Sequence, residues 1–306
     1  MTKVILIIPL LLISQVLKAQ PEAEGPPLKK IKILSWNIYM LPHLVATHSS
    51  KKERAKGIGN LLKASDYDVI VFQEAFHPLA RKKIFQLLSK NFPYQAGPAN
   101  RKLFSLKTNS GIWVFSKHPI VSHQSIIYKN RSGVDALSRK GGLLVEIDAQ
   151  GQHIQIAGTH LQNSGKVWLR HAQCVEFYER LLKPAMREGV PQIICGDFNI
   201  DRNTARESYQ FMLQSLDAED GSINSKNQFS YDRLNNDLQV EKGTRQDLID
   251  YILFRQNGGQ ANCINTIKVL KRKWRDNHED LSDHYPLEAE VYFFNSLEIQ
   301  SVASVK

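Results

Sequence analysis

Along this chain, apolar runs of strand length repeatedly end on a carboxylate, an amide or an imidazole. The fullest case is Ile193-Ile194-Cys195-Gly196-Asp197-Phe198-Asn199. Its apolar residues read as a buried strand, and Gly196 lets the backbone turn or approach another group closely. Asp197 and Asn199 lie two apart, so on extended backbone they point the same way. A hard divalent cation or a phosphate ester needs such a pair, the carboxylate for charge and the amide for neutral contacts. Asp and Asn after a strand are also ordinary turn residues, so the recurrence carries the weight.

The arrangement does recur. Ile31 to Asn37 ends on an amide, Val69 to Glu74 on a carboxylate and Ile154 to His160 on a histidine. Leu248 to Phe254 carries Asp250, and Leu281-Ser282-Asp283-His284-Tyr285-Pro286 leads into a last strand, Leu287 to Phe293. Charged groups near a core are costly unless paired or metal-bound, and layered sheets bring strand ends to rims where loops form sites. Gly111 to Ser116 reads as a further strand, Leu143 to Ile147 pairs with Ile154 to His160 around Ala149-Gln150-Gly151, and Ile264 to Leu270 is a candidate strand. Helical spacing covers Lys51 to Lys63, Pro78 to Lys90, Val167 to Leu182 (stopped by Pro184) and Ala205 to Leu216. Residues 217–246 are polar and loop-like. With no internal repeat and no change of composition after residue 30, residues 31–306 read as one domain.

The first 20 residues do not belong to that domain. Lys3 precedes an apolar core from Val4 to Ile13, and Leu17-Lys18-Ala19-Gln20 can serve as a cleavage site. This is the pattern of a secretory signal peptide, with an uncleaved anchor as the alternative. Residues 21–30 read as a Pro-rich tether. The expected location is secreted or periplasmic. The chain carries 40 Lys and Arg against 30 Asp and Glu, a net charge of +10, which favours anionic partners or serves solubility alone. No basic block is dense enough for a nucleic-acid tail; Lys271-Arg272-Lys273-Trp274-Arg275 comes nearest. Of the three cysteines, Cys174, Cys195 and Cys263, two could form a disulfide in an exported protein, and the spacing is not that of a zinc site.

Residue type suggests the chemistry. Glu74 can hold a magnesium-like ion, which prefers few carboxylates. His284, beside Asp283 and with Asp250 able to orient its ring, fits a general base. His160 and the asparagines can donate hydrogen bonds to developing phosphate charge. The ensemble points to metal-assisted hydrolysis of a phosphate ester. Direct attack by water is favoured, because no Ser or Cys lies in a recognisable nucleophile setting.

The ordered pieces Ser35-Trp36-Asn37, Phe72-Gln73-Glu74, Gly158-Thr159-His160-Leu161, Gly196-Asp197-Phe198-Asn199, Asp250-Tyr251-Ile252 and Ser282-Asp283-His284-Tyr285-Pro286 resemble the endonuclease/exonuclease/phosphatase, or DNase I-like, superfamily. That resemblance implies an α/β fold, a four-layer αββα sandwich of two packed β-sheets flanked by helices. Within it, Trp36-Asn37-Ile38-Tyr39-Met40-Leu41-Pro42, Gln73-Glu74-Ala75-Phe76, Thr159-His160-Leu161-Gln162 and above all Gly133-Val134-Asp135-Ala136-Leu137-Ser138-Arg139-Lys140-Gly141 resemble the secreted bacterial neutral sphingomyelinases. The resemblance implies one or two Mg²⁺ ions, with Mn²⁺ or Co²⁺ as alternatives. It assigns Glu74 as main metal ligand with Asn37 nearby, and Asp197, Asn199 and His284 to the phosphate and second-metal side. His284 becomes the base, His160 a transition-state stabiliser, and Asp135, with Lys140 as partner, part of the catalytic region. The expected partner is sphingomyelin or a related phospholipid at a membrane surface, not nucleic acid, for a monomeric enzyme. A secreted nuclease of the same fold, another head group, or an inactive binding protein are the alternatives.

One departure stands out. The secreted toxins usually carry a long, aromatic-tipped hairpin before the Ser-Asp-His motif. Here Ile264 to Asp280 is short and ends in charge, with Trp274 its only large aromatic. Strong membrane lysis is therefore not expected, although this basic patch and its Trp could still touch an anionic interface.

Overall fold

The apolar runs pair into two mixed sheets in a computed structural model that describes residues 30–42, 50–102, 107–239, 243–257 and 260–294. The expected signal peptide and residues 21–29 of the tether lie outside them. Seven strands form one sheet, in the order Ser222–Ile223, Gln260–Ile267, Leu287–Phe294, Lys30–Met40, Val69–Ala75, Trp113–Ser116 and Tyr94–Ala96. Six form the other, in the order Ile120–Ile127, Gly141–Ala149, Gln152–His160, Gln192–Asp197, Asp250–Arg255 and Glu219–Asp220.

Side-chain alternation along the strands creates the layers. Ile31, Ile33, Val69, Val71 and Val114 of the first sheet share a buried core with Ile154, Ile156 and Ile193 of the second. Leu34, Trp36, Ile70, Phe72 and Phe115 point the other way, onto Ala55, Ile58, Leu62, Ala80, Ile84 and Leu88 of helices Lys51–Leu62 and Pro78–Leu88. Phe177 of helix Val167–Phe177 and Met212 and Leu216 of helix Arg206–Leu216 join the core from the outer face of the second sheet. The result is the expected helix–sheet–sheet–helix sandwich. Among the described residues no helix is long and apolar enough to cross a membrane.

Several local expectations are corrected. Pro184 does not stop its helix at Leu182. The α-helix gives way to a π turn, Tyr178–Leu182, in which the Lys183 N–H reaches back to the Tyr178 carbonyl, and a last segment, Lys183–Ala185, follows. Pro184 falls in the opening positions of that segment. Strands Tyr94–Ala96 and Ile120–Ile127 were not anticipated. The first is only three residues long, and Val121 to Ser125 of the second are all exposed, so neither carries an alternating pattern. The possible disulfide is absent: all three cysteines are free and buried. Burial pushes the Cys174 and Cys263 thiols up to about 12. The segment before Ser282 is indeed a short hairpin, Lys271–Arg275 with His278–Asp280.

Gly196 does approach another backbone. A Cβ there would lie 2.4 Å from the Thr159 carbonyl oxygen of the neighbouring parallel strand, one residue before the His160–Asp197 register pair. Gly196→Ala should therefore push the two strands apart, costing about 1–3 kcal/mol of stability and depressing activity. Urea denaturation read beside turnover checks this; an unchanged midpoint would refute the close-approach account.

Candidate active site

The register of the second sheet builds the centre of the site. Parallel pairing sets His160 opposite Asp197, and antiparallel pairing sets Asp250 on its other side. Asp197 is only 2% exposed. Its Oδ2 accepts a hydrogen bond from Asn37 Nδ2 at 3.0 Å, which ties the first sheet to the second, and its Oδ1 accepts the Asn199 N–H at 3.0 Å. The Asn199 amide itself donates to the Leu161 carbonyl at 3.3 Å. Burial, then the charge of Asp250, pushes the Asp197 carboxyl up to about 6.

His284 completes a dyad. Its Nδ1 lies 2.8 Å from Asp250 Oδ2, while its Nε2 faces Asp197 Oδ2 across 3.8 Å, too far for a hydrogen bond. Its backbone is held on both sides: Trp36 Nε1 donates to the His284 carbonyl at 2.9 Å, and the Ser282 hydroxyl donates to the Asn37 carbonyl at 2.6 Å. Burial opposes a charged ring here, but Asp250 and Asp197, with Asp283 behind them, outweigh it and hold the imidazole proton well above the ordinary histidine range. Asp250, not the adjacent Asp283, is thus the partner of the ring. The Asp283 charge falls on Glu74.

His160 has the opposite setting. Burial, then the charges of Lys140 and His284, drive its pKa well below the usual value, so the ring is neutral. Lys140 Nζ lies 3.2 Å from His160 Nε2. An ammonium can only donate, so Nε2 accepts and the ring proton sits on Nδ1. That Nδ1 is buried with no hydrogen-bond partner in the structure, and lies 4.0 Å from Glu74 Oε1. Lys140 also donates to the Leu161 carbonyl at 2.8 Å and pairs with Asp135 Oδ1 at 3.1 Å. The Asp135–Lys140 segment therefore reaches the site through its lysine.

Glu74 closes the strand Val69–Ala75 with a φ of 56°, a left-handed conformation costly for a residue with a Cβ. Its Oε2 is buried without a hydrogen-bond partner. Burial, then the negative charge of Asp283, pushes its carboxyl up to about 8, against the pull of Lys140 and His284.

All ten side chains singled out from the sequence thus belong to one rim. Arg54 was not among them. Its guanidinium, fully buried, donates to the carbonyls of Ile38 at 3.1 Å, Leu281 at 2.8 Å and Tyr39 at 2.6 Å. It thereby holds the bulge after Asn37 against the segment that presents Asp283 and His284. The available signal was its place on the apolar stripe Arg54, Ile58, Leu62. Trp274, a candidate interface residue, faces inward: its Nε1 donates to the Asp280 carbonyl at 2.8 Å and its ring stacks on His278.

Asp197, Asp250 and His284 present ligand atoms within 4.8 Å of one another, a set able to coordinate a divalent metal. The wider site fits one too. Four carboxylates converge, Glu74 and Asp197 retain protons unusually far up the pH scale, and Glu74 Oε2 is buried with nothing bonded to it. A divalent cation would supply the missing positive charge.

The family model described as Endonuclease/Exonuclease/phosphatase family matches residues 34–284, which include every one of these side chains. A phospholipase C of Staphylococcus aureus is 25% identical over 288 residues, covering 85% of this chain and 86% of the relative. A sphingomyelinase C of Listeria ivanovii is 26% identical over 302 residues, covering 89% and 88%. A crystal structure of Staphylococcus aureus beta toxin superposes with a TM-score of 0.79 at 25% identity, covering 85% of this chain and 99% of that one.

The raised carboxyls give the metal-free protein a definite pH behaviour. Folded Glu74 holds a proton up to about pH 8 that an ordinary Glu releases near 4.5. The folded state therefore binds more protons in that window, and stability falls as pH rises. The shifts of Asp197 and His284 have the same sign, while His160, held neutral, opposes them below the ordinary histidine range. The Tm of the metal-free protein should decline between about pH 5 and 8, a saturating divalent cation should remove the decline, and cation binding at neutral pH should release protons measurable by calorimetry in two buffers. A metal-free Tm that rises across the window would contradict this electrostatic account.

Proposed function

The chain belongs to the endonuclease/exonuclease/phosphatase family, and we propose that it is an exported, Mg²⁺-dependent phosphodiesterase that hydrolyses sphingomyelin to ceramide and phosphocholine. The observation that carries the reading is the Asp250–His284 dyad, 2.8 Å long, set in a pocket with more carboxylate charge than the protein neutralises. The relatives named sphingomyelinase C and phospholipase C support the lipid substrate, and the signal-peptide pattern of residues 1–20 supports export.

Glu74 with Asn37 would hold the ion, and Asp197 and Asn199 would serve a second if two bind, with His284 beside it on the phosphate side. Bound there, Mg²⁺ would neutralise phosphate charge and act as a Lewis acid. The chain's own groups do the rest. Asp250 accepts from Nδ1 of His284 and so leaves Nε2 to take a proton from the attacking water. Asp197, across 3.8 Å, stabilises the imidazolium that results. His160 directs its Nδ1 proton at charge developing on the phosphoryl oxygens. Lys140 fixes that tautomer, and Asp135 holds Lys140 in place. The water oxygen stays on phosphorus as phosphocholine forms, the bond from phosphorus to the ceramide oxygen breaks, that oxygen leaves as the ceramide hydroxyl with a proton from solvent water, and His284 returns its proton to solvent.

The test offers purified residues 21–306, with Mg²⁺, sphingomyelin in mixed micelles, phosphatidylcholine and plasmid DNA. Phosphocholine should be released from sphingomyelin, more slowly from phosphatidylcholine, and DNA should stay intact; nicked DNA without phosphocholine would favour a nuclease. Glu74→Ala and excess chelator should each abolish turnover. His284→Ala should lose about 10²–10⁴-fold or more.

The pH profile provides a separate check. Asp250 is one of the carboxylates that hold the proton on His284 and so helps to set the acidic limb of kcat/KM. Asp250→Asn, which removes one of those charges, should shift the limb downward as well as slow the reaction. A limb that stays in place would remove Asp250 from its role.

A further inference from the structure

Four exposed apolar side chains lie on two neighbouring segments that are tied to the site. Val134 and Leu137 are 68% and 65% exposed, and Val167 and Trp168 are 46% and 54% exposed. Val134 and Leu137 lie on the 3₁₀ turn Gly133–Leu137, no residue of which is buried. Residues three apart eclipse on such a turn, so the two side chains share a face. Val167 and Trp168 open the helix Val167–Phe177. The turn is laced to the loop that leads into this helix: Gln162 Oε1 accepts the Ser132 N–H at 3.3 Å, Gln162 Nε2 donates to the Ser132 carbonyl at 3.0 Å, and the Asn163 N–H donates to Asp135 Oδ2 at 2.9 Å, while the Gln162 N–H donates to Gln173 Oε1 of the helix at 2.8 Å. The other oxygen of Asp135 binds Lys140, which touches His160. An apolar rim is thereby fastened to the working groups of the site.

The charges around the rim indicate what it meets. Across residues 129–139 and 163–168 the sole acid is Asp135, already paired with Lys140, whereas Lys129, Arg131, Arg139 and Lys166 are cationic. Apolar tips flanked by cations match the interfacial zone of a phospholipid bilayer, where the tips reach the acyl boundary and the cations meet phosphate groups. The hairpin before Ser282 is not so equipped. Its one large aromatic, Trp274, is packed against His278 and the core cluster beneath helix Lys51–Leu62.

We propose that the protein docks on phospholipid bilayers through the rim formed by Val134, Leu137, Val167 and Trp168, and not through the hairpin 271–280. The proposal deepens the sphingomyelinase reading and rests on it for its purpose: a headgroup phosphate beside the rim lies next to His160 and Lys140.

Residues 21–306 are sedimented in chelator, without turnover, with vesicles of sphingomyelin, phosphatidylcholine and phosphatidylserine. The wild type should bind, and Val134→Ser/Leu137→Ser/Trp168→Ser should lose about tenfold or more in partitioning. Its Tm should be unchanged, since none of the three side chains is buried; Trp168→Ser alone, with a smaller loss, keeps the test valid if the triple variant unfolds. Leu79→Ser/Phe85→Ser, at exposed apolar positions on another helix, and Arg272→Ser/Lys273→Ser on the hairpin should bind as the wild type does. Wild-type protein that ignores vesicles, rim variants that bind equally well, or a loss confined to the hairpin variant would each overturn the proposal. Binding is read separately from chemistry. A protein that docks through the rim yet releases no phosphocholine from micelles defeats the sphingomyelinase reading alone, and one that releases it with an indifferent rim defeats the docking surface alone.

Discussion

The two sheets meet chemically at Asp197. An ionised carboxylate buried to this depth is costly unless several donors surround it. Here the donors come from different layers, the Asn37 side chain from the first sheet and the Asn199 backbone from the loop that follows the strand, with the His284 imidazolium facing it across 3.8 Å. Because strand side chains alternate, a slip of one residue in either pairing of Gln192–Asp197 would turn Asp197 away from Asn37. Interlayer packing, strand register and site geometry are therefore one condition rather than three. Arg54 plays the matching part from the helical side, with one guanidinium bonded to three carbonyls.

Two histidines of equal intrinsic basicity acquire opposite characters within this frame. His284 faces Asp250, Asp197 and Asp283 and keeps its proton; His160 faces Lys140 and the His284 cation and sheds its own. Burial lowers both, so the sign of the neighbouring charges decides. Such a division supplies a strong proton acceptor in His284 and, in His160, a neutral ring that can donate a hydrogen bond. It also explains why the acidic side of the pocket is left short of positive charge, since any further fixed cation near Glu74 would compete with the ion that the site is suited to hold.

Most of this was legible in the sequence because the strands that carry site residues are central and buried. Val69 to Glu74 and Ile193 to Asp197 are apolar almost without interruption, so their polar endings stand out. The exposed strand Ile120–Ile127 has no such contrast. Arg54 was hidden because a lone arginine in a lysine-rich helix start looks like solvated charge, and only its stripe partners Ile58 and Leu62 hint otherwise. The expected orienting role of Asp250 is met: Asp283 is next to His284 in the chain, but its side chain has other neighbours, and the ring finds Asp250, 34 residues upstream. The pairing is realised in space because the strand holding Asp250 lies beside the strand holding Asp197.

The three walled-in thiols have a practical consequence. None is paired, and burial suppresses the thiolate that oxidation and exchange require. The fold therefore owes nothing to an oxidant, and its maturation does not depend on a disulfide-forming machinery at its destination. It can assemble equally well in a reducing cell interior or an oxidising exterior, and neither reductant nor air should alter the folded protein.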